Sequence, residues 1–366
     1  MRKIKLAKQK SSVDRNLLVL ILVFVFVGLI AVADASAPQA LNAYGDKFYL
    51  FKQQLMWAGV GTAALFITSK INYKFWEKVA TPFFLLSLIP LLMVLLPHLG
   101  FKALGARRWI DTGMFNFQPS EIIKLSLSLF LAKVASKNKS AVSYFLPLTI
   151  VIVLIMLQPD LGTTLVVSTI GLSQIFVSSV SLLYFAGALL FGFLGTLVLV
   201  LISPYRKERL LTFLQMERDP LGASYHIRQV LLGLGAGGIF GVGLGASRQK
   251  YLFLPEAATD SIFAVIAEEL GLLGAVSIIF LFGFFVYKGL TIAMNAPDLF
   301  SKVLAIGITA WIGGQVFLNI ASMVALVPLT GIPLPFISYG GSSLVTVLSA
   351  CGILLNISKY STHERK

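Results

Sequence analysis

The chain has 366 residues, of which 57% are hydrophobic and 13% charged, with a mean hydropathy of +0.86 and a formal net charge of +14. This is far more apolar than a soluble domain and marks an all-α integral membrane protein. The single Cys351 excludes an intrachain disulfide, and His98, His226 and His363 lack the spacing of a zinc site.

The amino-terminal tail, residues 1–16, carries Arg2, Lys3, Lys5, Lys8, Lys10 and Arg15. It leads into an apolar stretch, Leu17 to Ala33, followed by Ala35-Ser36-Ala37, which imitates a signal-peptidase site. The stretch outruns a signal-peptide core and many similar ones follow, so it reads as a retained span. Windows of about twenty apolar residues, enough to cross about 30 Å of hydrocarbon, fall at 17–35, 48–69, 76–96, 119–134, 142–157, 162–179, 181–202, 262–287, 301–327 and 342–358. With about ten transmembrane helices, both termini lie on one side, and the tail 359–366 brings Lys359, Arg365 and Lys366 there. Short connections on that side hold Lys70, Lys74, Lys78, Lys133, Lys137, Lys139, Lys288 and Lys302. By the positive-inside rule that side is the cytoplasm. No soluble domain intervenes, so residues 1–366 read as a single polytopic membrane domain.

On the opposite side, basic residues gather at Lys102, Arg107 and Arg108, and again in a large extracytoplasmic loop, 203–261, between helices 7 and 8. That loop holds Arg206, Lys207, Arg209, Arg218, Arg228, Arg248 and Lys250. Long loops translocate regardless of charge, so the topology stands, with two readings of the charge: solubility of an exposed loop, or binding of an anionic group to which Arg forks are suited. No nucleic-acid partner is expected. Gly233, Gly237, Gly241 and Gly245 recur every fourth residue in this loop, which favours close packing or a re-entrant segment over a nucleotide-binding turn, because no strand precedes them.

Four motifs carry candidate chemistry. Gln118-Pro119-Ser120-Glu121 opens a span with Lys124 on the same helical face, either a structural ion pair or the lining of a wet groove. In Gln158-Pro159-Asp160-Leu161-Gly162-Thr163, Asp160 is a helix cap, a metal ligand or an orienting carboxylate. The run Pro328 to Ser343 is too rich in Pro and Gly for a helix, and Ser338, Ser342 and Ser343 could hold a polar headgroup there. Leu254-Pro255-Glu256-Ala257-Ala258-Thr259-Asp260-Ser261 sets two carboxylates at the edge of a span that also carries Glu268 and Glu269. Ionisable groups at such a boundary are functional candidates by default, and Asp260 leads them.

Taken in order, Gly105-Ala-Arg107-Arg108-Trp109-Ile110, Gln118-Pro-Ser-Glu121 with Lys124, Gln158-Pro-Asp160-Leu-Gly-Thr163, Pro204-Tyr-Arg206-Lys-Glu-Arg209, Leu254-Pro-Glu256 with Thr259-Asp260, and the run Gly331 to Ser343 resemble the SEDS family (shape, elongation, division and sporulation) of peptidoglycan glycan polymerases. Gly241-Val-Gly243-Leu-Gly-Ala-Ser247-Arg248-Gln249-Lys250 and Pro255-Glu256-Ala257 are similar to its division branch, FtsW. Ala258 and Ser261 depart from the family pattern, which commonly has His and Phe there.

The resemblance implies a lipid II polymerase of the bacterial cytoplasmic membrane, active at the extracytoplasmic face and at the division septum. It implies inverting glycosyl transfer into β-1,4 glycan with release of undecaprenyl diphosphate. Asp260 would be the base with Glu256 beside it, and Arg107, Arg108, Arg206, Arg209, Arg248, Lys250 and the deeper Lys124 would face the diphosphate. A divalent cation, magnesium, is implied, with Asp160 and Glu256 as its only plausible protein donors. Implied partners are a class B penicillin-binding protein and other division proteins. A lipid II flippase and a non-catalytic scaffold are the alternatives; a flippase expects charges near the bilayer midplane.

Overall fold

A computed structural model describes residues 12–96, 100–103, 106–111, 116–178, 180–202, 204–214 and 224–360. Its helices are α1 (Arg15–Ala35), α2 (Ala37–Tyr44), α3 (Tyr49–Lys70), α4 (Tyr73–Met93), α5 (Pro119–Ser136), α6 (Val142–Met156), α7 (Leu161–Val177), α8 (Leu182–Ile202), α9 (Pro204–Leu214), α10 (Tyr225–Gly237), α11 (Ile262–Met294), α12 (Leu299–Met323) and α13 (Gly341–Ser358). Each of the ten apolar windows is filled by one of them. α1, α4, α11, α12 and α13 are long and apolar enough to cross a membrane by length and composition alone. α6 and α7 are shorter apolar helices, while α3 and α5 are diluted by Lys52, Gln53 and Gln54 and by Glu121, Lys124 and Lys133.

Two connections carry secondary structure of their own. The connection after α4 is an antiparallel sheet, β1 (Gly100–Ala103), β2 (Ala106–Asp111) and β3 (Asn116–Phe117), in the order β1-β2-β3. The segment 203–261 is not a plain loop, since it contains α9 and α10.

Helix starts follow local chemistry. Asp14 caps α1 by accepting from the Leu17 amide at 3.0 Å, and Asp298 forms a capping box with Ser301 at the head of α12. α3 and α13 pack at small residues: a Cβ on Gly352 would collide with the Leu65 carbonyl and the Thr68 hydroxyl, and that hydroxyl bonds the Ser349 carbonyl at 3.0 Å. Close backbone approach with polar cross-bonds is how helices associate where lipid offers no hydrophobic drive.

α11 is broken two turns in, at Gly271, whose φ of 67° and ψ of −167° are non-helical. The break frees carbonyls and amides that hydrocarbon cannot solvate. Residues 238–243, just beyond α10, supply the missing partners. The Val242 and Gly243 amides donate to the Glu268 and Glu269 carbonyls at 3.0 and 3.1 Å, and the Leu272 and Leu273 amides donate to the Gly238 and Ile239 carbonyls at 2.9 and 3.3 Å. Gly237 and Gly241 make the approach possible, because a Cβ on either would strike the Ala267 or Glu269 carbonyl. The four-residue glycine spacing is therefore a packing device.

Side chains lock the same crossing. Glu268 accepts from the Ser247 hydroxyl and from the Arg248 amide at 3.0 Å. Lys250 is buried between Asp34 of α1, at 2.6 Å, and Glu269, at 2.8 Å. The partners of Glu268 and Glu269 are thus the returning segment 247–250 and, through Lys250, the first span.

Gly241 has a φ of 83° and no room for a Cβ, so Gly241→Ala is expected to lower stability in detergent by about 2–4 kcal/mol. Gly59→Ala, with nothing near its added carbon, should leave thermal unfolding unchanged, and equal melting of both variants would refute the packing account. Lys250→Met strands the buried Glu269 and the half-buried Asp34 and should cost about 3–5 kcal/mol, read in the same melting experiment.

Candidate active site

The acidic motif lies in a chain of turns just ahead of α11. The Thr259 and Ser261 amides both donate to the Glu256 carbonyl at 3.1 Å, and Glu256 itself has a φ of 51°. α11 begins only at Ile262, so Glu256 and Asp260 do not share a helical face, as an earlier helix start would have required. They meet through Thr259, whose hydroxyl oxygen is 2.8 Å from Glu256 Oε2 and 2.8 Å from Asp260 Oδ1. A hydroxyl carries one proton. Both contacts are satisfied at once only when one carboxyl is also protonated.

Buried Leu254, Ala257 and Ala258 anchor these turns in the core. The non-helical run 324–340 straps them from the other side. The Tyr339 amide donates to the Ala258 carbonyl at 2.9 Å, and the Ser338 hydroxyl donates to the Thr259 carbonyl at 2.5 Å while accepting from the Leu334 amide at 2.8 Å. The Asn319 amide of α12 donates to the carbonyls of Asp260 and Ile332, each at 2.8 Å. One turn earlier, Gln315 donates to the Pro333 carbonyl at 2.9 Å and accepts from Lys124 at 3.1 Å.

Burial pushes the Asp260 carboxyl above its usual range, against the opposing pull of the Thr259 hydroxyl and the charges of Arg209 and Arg108. Those two arginines arrive on different elements. Arg209 projects from α9 and donates to the Leu329 carbonyl at 3.1 Å. Arg108 projects from β2, donates to the Pro159 carbonyl at 2.7 Å and lies 3.6 Å from Asp160. A partly buried acid facing two guanidinium groups can take up a proton beside an anion.

Other expected residues lie elsewhere or are otherwise engaged. Arg107 neighbours Arg108 on β2, where successive side chains take opposite faces. Arg206 lies on α9 one turn before Arg209, but its side chain falls outside the described residues. Lys250 is held by Asp34 and Glu269, and Arg248 is exposed with its amide on Glu268; the structure gathers neither with Asp260. Lys124 pairs with Glu121 at 2.8 Å, lies over the Trp311 ring and is 2% exposed, so it braces the strap from below. The Ser338 hydroxyl is spent on the strap, whereas Ser342 and Ser343 sit half-buried in the first turn of α13.

Asp160 caps α7: its carboxylate accepts from the Thr163 amide and hydroxyl, both at 2.9 Å. With Arg108 also against it, and with one Glu256 oxygen on Thr259, these side chains do not form a cation cage. Among the described residues no group of three or more His, Cys, Asp or Glu gathers. An apolar cleft of about 490 Å³ lies apart from this site, along Phe26, Leu29, Ile30, Ala33, Asp34 and Phe51. Asp34, its one ionisable lining residue, is already bonded to Lys250.

Four participants escape a reading of the sequence. Gln315 and Asn319 are spaced i, i+4 in an apolar span, and Asp34 is an ionisable residue inside the first one, so a signal is present in each case. His226 gives no such signal: its partner, Ser261, is distant in sequence.

A family model described as cell cycle protein, FtsW/RodA/SpoVE, matches residues 14–363. The chain is 41% identical over 363 residues to stage V sporulation protein E of Bacillus subtilis, covering 97% of this chain and 99% of that one. It is 38% identical over 353 residues to a probable peptidoglycan glycosyltransferase FtsW of Trichlorobacter lovleyi, covering 94% and 93%. Among solved structures it resembles a chain of a peptidoglycan synthase complex in which polymerization and crosslinking are coordinated, with TM-score 0.77, 29% identity and coverage of 96% and 99%. It also resembles the rod shape determining protein RodA of Thermus thermophilus, with TM-score 0.70, 28% identity and coverage of 94% and 96%. A match over nearly its whole length, in sequence and in fold, establishes this chain as a multi-pass membrane protein of the FtsW/RodA/SpoVE family.

Proposed function

We propose that the protein is a peptidoglycan glycosyltransferase that polymerises lipid II into β-1,4 glycan strands during septal wall synthesis. The observation that carries this reading is the Asp260 carboxyl, raised in pKa by burial and set opposite Arg209 and Arg108. Relatives named as probable peptidoglycan glycosyltransferases support it. The basic inner connections support cytoplasmic termini and a site at the outer face, where lipid II is presented.

Asp260 accepts the proton of the acceptor sugar's 4-hydroxyl as that oxygen attacks the donor's anomeric carbon. The new C–O bond forms on the face opposite the breaking bond to the diphosphate, which inverts the centre. The electron pair leaves with the undecaprenyl diphosphate, whose charge Arg108 and Arg209 offset. The proton on Asp260 then passes to water. Glu256 is joined to Asp260 through the Thr259 hydroxyl, which fixes the two carboxyl groups relative to each other. A divalent cation such as magnesium would supply further positive charge beside the leaving diphosphate. A class B penicillin-binding protein crosslinks the product, and other division proteins bring the pair to the septum. A flippase fits less well, because Asp260 precedes the first turn of α11 rather than lying at its midpoint.

Purified protein given lipid II, magnesium and its crosslinking partner should make glycan strands resolvable on a gel. Asp260→Asn should slow this about 10²- to 10⁴-fold, and polymerisation by that variant at the native rate would remove Asp260 from the role of base. Stability should move the other way. A carboxyl whose folded pKa lies above its ordinary 3.8 binds its proton more tightly in the folded state, so ionisation takes stability away as pH rises through the folded pKa. Asp260→Asn is therefore expected to melt higher than the native protein at neutral pH and to lose that advantage near pH 3.8.

A further inference from the structure

His226, in the first turn of α10, places its Nε2 2.8 Å from the Ser261 hydroxyl. Ser261 is fully buried at the residue that caps α11, directly after Asp260. The imidazole thus pins α10 to the turn that carries the acid. It shares its surroundings with the site's charges: Glu256 on the same turn and Arg209 from α9 both act on it. Asp260 itself is one residue beyond the contact. On α11, Glu268 and Glu269 are occupied by the segment 247–250, and α12 carries no ionisable residue after Lys302.

We infer that His226 is a positioning residue for the transfer reaction, holding the Asp260 turn through Ser261 and setting the charge beside the base by staying neutral. This inference rests on the reading of Asp260 as the base. Burial lowers the imidazole's proton affinity, outweighing the attraction of Glu256, and Arg209 lowers it further. The working form is therefore the uncharged ring. When acid protonates it, a cation appears behind Asp260, which stabilises the carboxylate and makes it a poorer base. The same cation repels Arg209 and attracts Glu256 through space. Each effect slows transfer, so the acid limb of the rate profile contains a histidine titration in addition to that of Asp260.

The experiment is a pH profile of glycan polymerisation by the full-length protein with its partner, for native protein, His226→Gln and Ser261→Ala. Glutamine retains a hydrogen-bonding side chain without titrating. The ratio of the rate at about pH 7 to that on the acid side of the imidazole's own titration should fall about three- to tenfold in His226→Gln, whatever its absolute rate. In parallel, NMR of ring-labelled histidine reports the titration directly. The chain has three histidines, and the signal lost in His226→Gln identifies the one whose midpoint should coincide with the missing inflection. Ser261→Ala should keep an inflection but move it together with that signal.

A His226→Gln profile that superposes on the native one, or a uniform loss of rate at every pH, overturns the inference. The second result would leave His226 a purely structural contact. Either outcome with an inactive Asp260→Asn leaves the base assignment standing, whereas native activity in Asp260→Asn removes the base and with it the basis for this inference.

Discussion

One carboxamide holds the site together. Asn319 donates to two backbone carbonyls, one of Asp260 and one of Ile332, and so joins a helix, an acidic turn and a proline-rich strap at a single point. Neither carbonyl belongs to regular secondary structure, and inside a membrane protein such groups must find a partner within the fold. The arrangement continues along the same helix face, where Gln315 links the strap to the buried Lys124–Glu121 pair. α12 thus supplies amides in place of the water that a soluble enzyme would use to satisfy an irregular active-site loop.

The same constraint explains why α11 is interrupted where it is. A straight helix would carry Glu268 and Glu269 into lipid unpaired. Breaking it at Gly271 opens a gap into which the segment after α10 fits, with its own amides and with Ser247 and Lys250. Charges that would be prohibitive alone become a lock between α1, α11 and the returning chain. Arg108, Asp160 and Pro159 do comparable work on the far side of the site, tying the small sheet to the head of α7.

Much of this is legible in the order of residues alone. Ten apolar windows are visible in the sequence and each is occupied by a helix; Asp260 stands out because a carboxylate beside an apolar run is rare enough to need a reason. The fourfold glycine spacing points to close packing, and the strap declares itself through Pro and Gly. What residue order does not reveal is which cation belongs to which anion. Lys250 and Arg209 look alike in a basic loop, yet one is sealed against Asp34 and the other faces the acid, because tertiary packing rather than local composition decides the pairing. The sheet between α4 and α5 escapes notice for a related reason: its strands are too short to show alternation.

The returning segment has two ends with different surroundings. At one, Ile239, Phe240 and Leu244 are exposed, as side chains immersed in acyl chains would be; at the other, past the anchored Lys250, lies Glu256 and then Asp260. Lys250 is the fulcrum between them. Its ion pairs with Asp34 and Glu269 tie the segment to α1 and α11 midway between its lipid-facing end and the acidic turn.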